Sequence, residues 1–294
     1  DLPLVNLEAI RRAEFRVAFD AVNSVGGIAL PLLLEALGVK TVFPLNEKAD
    51  GHFAHNPEPL PEHLTDICRI VRESKADVGF VVDPDVDRLA IIMDDGNFFG
   101  EEYTLVAVAD YILSNTPGNT VSNLSSTRAL KDVTGKYGGT YFASAVGEVN
   151  VVEMMKKQHA VIGGEGNGGV IYPDLHYGRD ALVGIALFLS HLALSGKSCS
   201  QLRRTYPDYF MSKNKATLRM GATPAELFDH LRNVYNEYEI NDTDGLKIEF
   251  SQGWVHLRSS NTEPIMRIYA EAPTMKLAGQ FADQIRQDIS PWIC

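Results

Sequence analysis

Apolar residues in the first third of the chain alternate between short continuous runs and a helical spacing. Residues 16–20 form a short apolar run, and the leucines between positions 30 and 37 recur at intervals of three and four, as on one helix face. A strand at residues 39–43 and a helix at residues 62–74 are also predicted. Runs at residues 78–82 and 89–93 predict strands on either side of an acidic loop. This alternation favours parallel sheets with helices on both faces.

The middle third repeats this alternation, whereas the last third does not. In the middle third we predict strands at residues 120–123 and 160–163 and helices at 102–114, from 128, at 150–158 and at 180–195. In the last third we predict strands at 216–220, 245–250, 254–258 and 266–271 and helices at 224–238 and 275–289. The pattern therefore predicts an α/β protein with two consecutive α/β domains, residues 1–101 and 102–205, whose sheets are mixed or mostly parallel. A smaller α+β C-terminal domain, residues 206–294, follows.

Composition excludes several functional classes. The formal net charge of −11 argues against a nucleic-acid partner, since phosphates must be neutralised by clustered Lys and Arg, although a local cationic pocket could bind a small anion. Cys68, Cys199 and Cys294 are widely separated and show no C-x-x-C spacing, which predicts no disulfide framework or zinc site and favours a reducing cytoplasm. The most apolar stretch, residues 181–194, is shorter than the about 20 residues of a membrane span. We expect it to form a buried helix, with no membrane partner.

Three carboxylates occupy alternate positions in the acidic loop, Asp83, Asp85 and Asp87, and can converge on one point. Their mutual repulsion is costly unless a cation offsets it, and a hard divalent ion with oxygen ligands, above all Mg²⁺, is the natural partner. A solvated acidic turn is the alternative. An EF-hand would need glycine and glutamate where the chain has Arg88 and Asp94. An aspartyl-nucleophile phosphatase of the haloacid dehalogenase type is a weaker alternative, because no later Gly-Asp-x-x-x-Asp motif follows.

A second loop, residues 163–169, reads Gly-Gly-Glu-Gly-Asn-Gly-Gly. Glycines let a backbone approach a ligand closely, while Glu165 and Asn167 offer an acceptor and a bifunctional amide suited to adjacent sugar hydroxyls. A loop that cradles phosphate would lack the glutamate and usually contain a lysine. We therefore predict a sugar-binding loop, with a tight glycine turn as the alternative.

A third loop, residues 258–264, reads Arg-Ser-Ser-Asn-Thr-Glu-Pro and lies between two predicted strands. The planar guanidinium of Arg258 can hold two phosphate oxygens at once, and hydroxyl, amide and main-chain donors follow it directly. The loop is therefore predicted to bind phosphate. An ordinary β-turn, which uses Ser and Asn for local hydrogen bonds, is the alternative.

In this order, the three loops resemble the α-D-phosphohexomutase family, of the phosphoglucomutase/phosphomannomutase type, whose domains 2, 3 and 4 supply a metal loop, a sugar-specificity loop and a phosphate-binding loop. Residues 17–23, 53–59 and 145–148 are also similar to family landmarks, so the resemblance covers essentially the whole chain. It implies an enzyme that interconverts hexose 1-phosphate and hexose 6-phosphate through a phosphoserine. Hexose 1,6-bisphosphate would be the intermediate or activator.

The resemblance also implies individual roles. Mg²⁺ would be held by Asp83, Asp85 and Asp87, and Arg88 would contact the phosphoserine phosphate. Sugar hydroxyls would contact Glu165 and Asn167. The substrate phosphate that is not reacting would be held by Arg258, Ser260, Asn261 and Thr262, with Arg267 as a helper. Asn167, Gly169 and Glu148 depart from the residues of many or some members, which leaves the preferred sugar open among glucose, mannose and glucosamine phosphates.

Family members carry the phosphorylated serine in a Thr-x-Ser-His-Asn-Pro-like loop of a first domain. This sequence contains no such loop, and His55-Asn56-Pro57, which follows Ala54, matches the second domain instead. We therefore expect the missing N-terminal domain of the same polypeptide to be a partner, and this chain alone to bind a phosphosugar without catalysis. Phosphoglucosamine mutase, a non-catalytic phosphosugar-binding module and the metal-dependent phosphatase are the alternatives.

Overall fold

A computed structural model describes residues 2–260 and 265–294. The chain divides into two compact units. The first contains the chain up to Ala143 together with Gly147–Tyr206, and the second contains Ser144–Val146 and Pro207–Cys294. Each unit has its own sheet framework and apolar core.

The first sheet of the first unit has the strand order β2-β1-β3-β4. Its strands are β1 (Arg16–Asp20), β2 (Thr41–Leu45), β3 (Val78–Val82) and β4 (Leu89–Met93). Strand β1 is parallel to β2 and β3, whereas β4 is antiparallel to β3. The accompanying helices are α1 (Leu7–Ala13), α2 (Gly26–Leu37) and α3 (Thr65–Ser74), with one 3₁₀ turn at Pro61–His63.

The second sheet has the order β6-β5-β7-β8. Its strands are β5 (Asn119–Asn123), β6 (Tyr141–Ser144), β7 (Ala160–Glu165) and β8 (Gly169–Ile171). Strand β5 is parallel to β7, and β8 is antiparallel to β7. The helices are α4 (Glu101–Asn115), α5 (Ala129–Lys136), α6 (Glu148–Gln158), α7 (Ala181–Ser195) and α8 (Cys199–Arg203).

Helices α4 and α7 join the two sheets into one core. They contact each other, and both contact β4 of the first sheet and β8 of the second. Phe188 on α7 packs edge-on against Phe80 and Phe99, with ring centroids 6.2 and 5.4 Å apart. Helix α7 carries apolar residues on all of its faces, so its sequence favours burial between two sheets. The prediction of a buried helix here is confirmed.

The second unit is a five-stranded antiparallel sheet of order β10-β11-β12-β13-β9, with its core on one face. Its strands are β9 (Phe210–Thr217), β10 (Glu239–Asn241), β11 (Leu246–Phe250), β12 (Gly253–Ser259) and β13 (Ile265–Ala272). Helices α9 (Pro224–Val234) and α10 (Met275–Asp288) contribute Leu227, Leu231, Ala282 and Ile285 to that core.

The predicted fold class is confirmed: two mixed α/β sheets precede an antiparallel-sheet domain. Individual elements differ from the predictions. Strand β9 begins at Phe210 rather than at residue 216, because Lys213 and Lys215 lie on an exposed face and break the apolar run. The helix predicted at 62–74 is interrupted at Leu64. Strands β6, β8 and β10 and helices α1 and α8 were not predicted, since none is longer than seven residues. The domain boundaries stay predictions.

Within the described ranges, no helix is both long enough and apolar enough to cross a lipid bilayer.

Candidate functional site

The acidic loop between β3 and β4 is shaped by its own first carboxylate. Asp83 Oδ1 accepts the backbone N–H groups of Asp87 and Arg88, each at 3.0 Å. Val86 adopts a left-handed conformation with φ of 62°, which lets the chain turn within the loop. The loop is therefore tied to a buried side chain at its first position rather than to solvent.

The three carboxylates converge as the sequence predicted. One oxygen from each of Asp83, Asp85 and Asp87 lies within 4.8 Å of the others. Opposite oxygens on Mg²⁺ are about 4.2 Å apart, twice the about 2.1 Å metal–oxygen distance, so small side-chain rotations would suffice to bind the ion. Asp87 Oδ1 is buried and has no hydrogen-bond partner among the described residues. An all-oxygen set with an unsatisfied carboxylate oxygen fits a hard divalent cation.

The environment of the cluster disfavours ionisation of Asp83. Burial, and then the carboxylates of Asp87 and Asp85, raise its pKa to about 7, although the N–H of Arg88 opposes this shift. The cation nearest to Asp83 is Arg88, whose Nε lies 3.6 Å from Asp83 Oδ2 and 3.8 Å from Asp87 Oδ1. These distances are too long for hydrogen bonds, and Arg88 Nε is buried without a partner in the described part of the chain. Arg88 therefore compensates the negative charges of Asp83 and Asp87 only in part.

The glycine loop connects β7 to β8 and is joined to the acidic loop through the backbone. The N–H of Leu89 donates to the carbonyl of Gly168 at 3.1 Å, and Arg88 forms a β-bridge with Gly169. Gly168 has φ of 89°, and a Cβ there would lie 2.4 Å from the Leu89 oxygen. Only glycine allows this approach, so the two loops that the sequence assigned to metal and sugar have a fixed relative position.

Glu165 lies at the end of β7 and is only 5% exposed. Its Oε1 accepts from Asn123 Nδ2 at 2.8 Å and from the N–H of Gly147 at 3.2 Å. Its Oε2 accepts from Arg179 Nη1 at 2.7 Å. Asn167 is partly exposed, and its Oδ1 accepts from the N–H of Gly169 at 3.2 Å. Three donors thus orient Glu165, and lone-pair capacity remains on its Oε2.

Arg179 is the residue that sequence reasoning missed. It lies in the loop before α7, and its guanidinium binds both Asp87 and Glu165, which belong to different predicted loops. Nothing in its spacing from residues 83–87 or 163–169 indicated these contacts. The only local signal was its position beside Asp180, whose carboxylate caps α7.

The predicted phosphate loop belongs to the second unit. Arg258 is on β12, pairs with Arg267 of β13, and its Nη1 lies 3.8 Å from Asp244 Oδ2. Arg267 in turn pairs with Lys215 of β9, which gives a row of three cationic residues across the sheet. The N–H of Ser260 donates to the carbonyl of Ile265 at 2.9 Å. The remaining predicted residues, Asn261 and Thr262, lie outside the described residues.

Two mixed α/β sheets followed by an antiparallel-sheet domain define the architecture of domains II to IV of a phosphohexomutase. Sequence models described as "Phosphoglucomutase/phosphomannomutase, alpha/beta/alpha domain II", "alpha/beta/alpha domain III" and "C-terminal domain" match residues 2–96, 100–209 and 214–288. The chain belongs to the phosphoglucomutase/phosphomannomutase family.

Individual relatives support this membership. A phosphoglucomutase/phosphomannomutase of Thermococcus kodakarensis is 37% identical over 95% of this chain and 61% of its own length. A probable phosphoglucosamine mutase of Methanopyrus kandleri is 32% identical over 92% of this chain and 60% of its own length. The crystal structure of a Burkholderia thailandensis family protein is similar with a TM-score of 0.83 at 28% identity, covering 97% of this chain and 63% of that chain. The chain therefore spans about three fifths of the length of the relatives it matches.

Proposed function

We propose that this chain supplies the metal, sugar and phosphate loops of a hexose-phosphate mutase that interconverts hexose 1-phosphates and hexose 6-phosphates. The observation that carries the proposal is the acidic cluster of Asp83, Asp85 and Asp87 joined to the Glu165 loop by backbone pairing. Phosphoryl transfer between sugar hydroxyls requires a cation and a hydroxyl-binding group held in a fixed relation. In this part of the first unit, Asp83, Asp85 and Asp87 would hold the cation and Glu165 would bind the hydroxyl.

In this proposal Asp83, Asp85 and Asp87 hold Mg²⁺, with Asp87 Oδ1 as the oxygen that most needs a cation. When bound, the ion would supply positive charge that offsets the negative charge of the transferring phosphoryl group. Arg88, next to the cluster, would contact the phosphate that the enzyme carries. The positive charge of its guanidinium would favour a phosphate close to the acidic loop.

Recognition of the sugar is assigned to Glu165 and Asn167. The three donors on Glu165 fix the direction of its carboxylate, so its remaining lone pair would accept a hydroxyl only in one orientation of the sugar. The partly exposed Asn167 would add a second polar contact. Together these side chains would select the configuration of neighbouring hydroxyls.

The phosphate that is not reacting is assigned to the second unit. Arg258, Ser260, Asn261 and Thr262 would hold it, with Arg267 adjacent to Arg258 in the cross-strand pair. Two neighbouring guanidinium groups on one sheet face form a suitable site for a dianion, because each can donate two hydrogen bonds to phosphate oxygens.

Catalysis would need a phosphorylated serine. The chain contains no Thr-x-Ser-His-Asn-Pro-like loop, so we propose that the serine lies outside these 294 residues and that the chain alone binds without turning over. The intact enzyme would form a hexose 1,6-bisphosphate that reorients between two phosphoryl transfers. The first candidate activity is that of a phosphoglucomutase/phosphomannomutase. The second is that of a phosphoglucosamine mutase, the name given to the Methanopyrus kandleri relative.

The phosphate assignment is tested by calorimetric titration with glucose 1-phosphate, mannose 1-phosphate and glucosamine 1-phosphate in Mg²⁺. Replacing Arg258 by methionine should weaken binding about 10- to 100-fold, because a hydrogen bond to a charged group contributes about 1.5–3 kcal/mol. The matched control is Arg286→Met on α10, a helix on the core side of the sheet. The order of affinities in the unchanged chain would rank the sugars. Failure of all three to bind, or equal binding by the Arg258 variant, would contradict the proposal.

A further inference from the structure

Arg179 is held in place by contacts other than those with Asp87 and Glu165. Its own N–H donates to Glu148 Oε1 at 3.0 Å, and its Nε lies 3.4 Å from Glu148 Oε2. Its aliphatic stem passes over Gly169, where a Cβ would lie 2.3 Å from Arg179 Cδ. The side chain is 14% exposed. These contacts leave the guanidinium with little freedom of position.

That fixed guanidinium holds one oxygen of each of two functional carboxylates. It binds Oδ2 of Asp87, while Asp87 Oδ1 has no hydrogen-bond partner among the described residues. It also donates to Glu165 Oε2 at 2.7 Å. Arginine suits this task because its donors form a planar fork, whereas lysine offers a point charge. Burial disfavours the charged form, but Asp87, Glu165 and Glu148 more than compensate and raise the pKa of Arg179, so it remains a cation.

We propose that Arg179 is a positioning residue that couples divalent-cation binding at Asp83, Asp85 and Asp87 to sugar binding at Glu165. The inference rests on the proposed function and adds a residue and a linkage to it. By holding Oδ2, Arg179 directs Asp87 Oδ1 toward the acidic cluster, as a partner of a metal ligand does. A cation that binds Asp87 would remove the freedom that remains to the guanidinium, and therefore to Glu165. Coupling of this kind is reciprocal, so sugar phosphate and cation strengthen each other's binding by one common factor.

The test is a calorimetric titration with Mn²⁺ alone, as a probe for Mg²⁺, of the unchanged chain and Arg179→Met. Electrostatics alone predicts tighter Mn²⁺ binding in the variant, because a cation near the site has been removed. Positioning predicts the opposite, about 10- to 100-fold weaker binding. Arg179→Lys, which keeps the charge without the fork, should lie between the two. The control Arg69→Met removes a cation from the exposed face of α3 and should change nothing.

A second variant separates positioning from folding. Glu148→Gln leaves Arg179 and the acidic cluster intact but weakens the anchor of the guanidinium, and should weaken Mn²⁺ binding less than Arg179→Met does. Circular dichroism would verify that each variant is folded. Mn²⁺ binding that is unchanged or tighter in Arg179→Met would overturn the inference and leave the proposed function standing. An unchanged chain that binds no Mn²⁺ would overturn both.

The linkage is measured with glucose 1-phosphate in the presence and absence of Mn²⁺. In the unchanged chain Mn²⁺ should tighten sugar-phosphate binding, and in Arg179→Met the ratio of the two affinities should fall toward one. An equal ratio in both proteins would refute the coupling. If the unchanged chain binds Mn²⁺ but no sugar phosphate, the coupling and the sugar part of the proposed function are both refuted. The positioning of Asp87 by Arg179 would then be judged from the Mn²⁺ titration alone.

Discussion

Replacing Asp110 by alanine is expected to destabilise the first unit by about 4 kcal/mol, the cost of breaking a buried ionic network from one side. Asp110 is 6% exposed on α4. Its Oδ1 accepts from Lys136 Nζ and from the Tyr137 hydroxyl, both at 2.9 Å. Its Oδ2 accepts from the Tyr206 hydroxyl at 3.2 Å and lies 3.4 Å from His191 Nε2. One carboxylate therefore joins α4 to α5, to α7 and to the residues after α8.

Most of the expected loss of stability in Asp110→Ala comes from buried donors that would lose the carboxylate as their acceptor. Tyr206 is 6% exposed and would lose an acceptor that water replaces poorly, whereas the more exposed Lys136 can return to solvent. Burial alone would raise the pKa of Asp110, but the contacts with His191, Lys136 and Tyr137 outweigh it and hold that pKa well below its ordinary value. The network therefore stabilises the fold above the unfolded carboxyl pKa of about 3.9, and this contribution is lost as the pH falls through the lower folded value.

The loss of stability can be measured for the first unit by hydrogen exchange of peptides from α4 in urea. Asp110→Asn should lose less stability than Asp110→Ala, because its amide oxygen still accepts a hydrogen bond. Glu73→Ala, which removes an exposed carboxylate on α3, should change stability by less than about 0.5 kcal/mol. A loss below about 1 kcal/mol in Asp110→Ala would show that the network contributes little to folding.

The second unit is expected to lose about 3 kcal/mol of stability as the pH falls from 6.5 to 4. His256, on β12, is 2% exposed, and its Nε2 lies 2.6 Å from the carbonyl of Asp244, to which it donates. Burial and the charges of Lys247 and Arg258 lower its pKa from 6.5 to about 4, despite the opposing contact with Asp244. In that window the unfolded chain binds a proton that the folded chain does not, so acid favours unfolding.

Fluorescence follows this unit selectively, because both tryptophans of the chain, Trp254 and Trp292, belong to it. Urea titrations at several pH values should show a steeper pH dependence in the unchanged protein than in His256→Gln, which can still donate to the Asp244 carbonyl but does not titrate. His230→Gln, a substitution of a partly exposed histidine on α9, is the control. Identical pH profiles for the unchanged protein and His256→Gln would contradict this account.

The sequence predicted the loops better than the contacts between them. Asp83, Asp85 and Asp87 occupy alternate positions of one short loop, so their convergence follows from local spacing, and it is confirmed. Glu165 was predicted as a sugar ligand from the character of its loop, but its burial and its bond to Asn123 depend on how β5 packs beside β7. Spacing along the chain contains no such information.

The contacts of Arg179 were still less predictable from the sequence. It lies 92 residues from Asp87 in sequence, and the contact exists only because β4, β8 and α7 meet. By contrast, the long apolar α7 could be predicted as buried, because an all-round apolar helix has few other stable locations. Hydrophobic periodicity thus predicts which elements are buried, whereas the partners of individual polar side chains depend on tertiary packing.

Binding of a divalent cation by the acidic loop, the basis of the proposed phosphosugar chemistry, is tested by titrating Mg²⁺ into the unchanged chain and into Asp85→Asn. Asp85 is exposed, so the substitution should leave the fold intact. Asp95→Asn, in the exposed turn after β4, removes the same charge outside the cluster and is the matched control. We expect saturable Mg²⁺ binding that Asp85→Asn loses and Asp95→Asn keeps. Equal binding by all three proteins, or no binding by any, would contradict it.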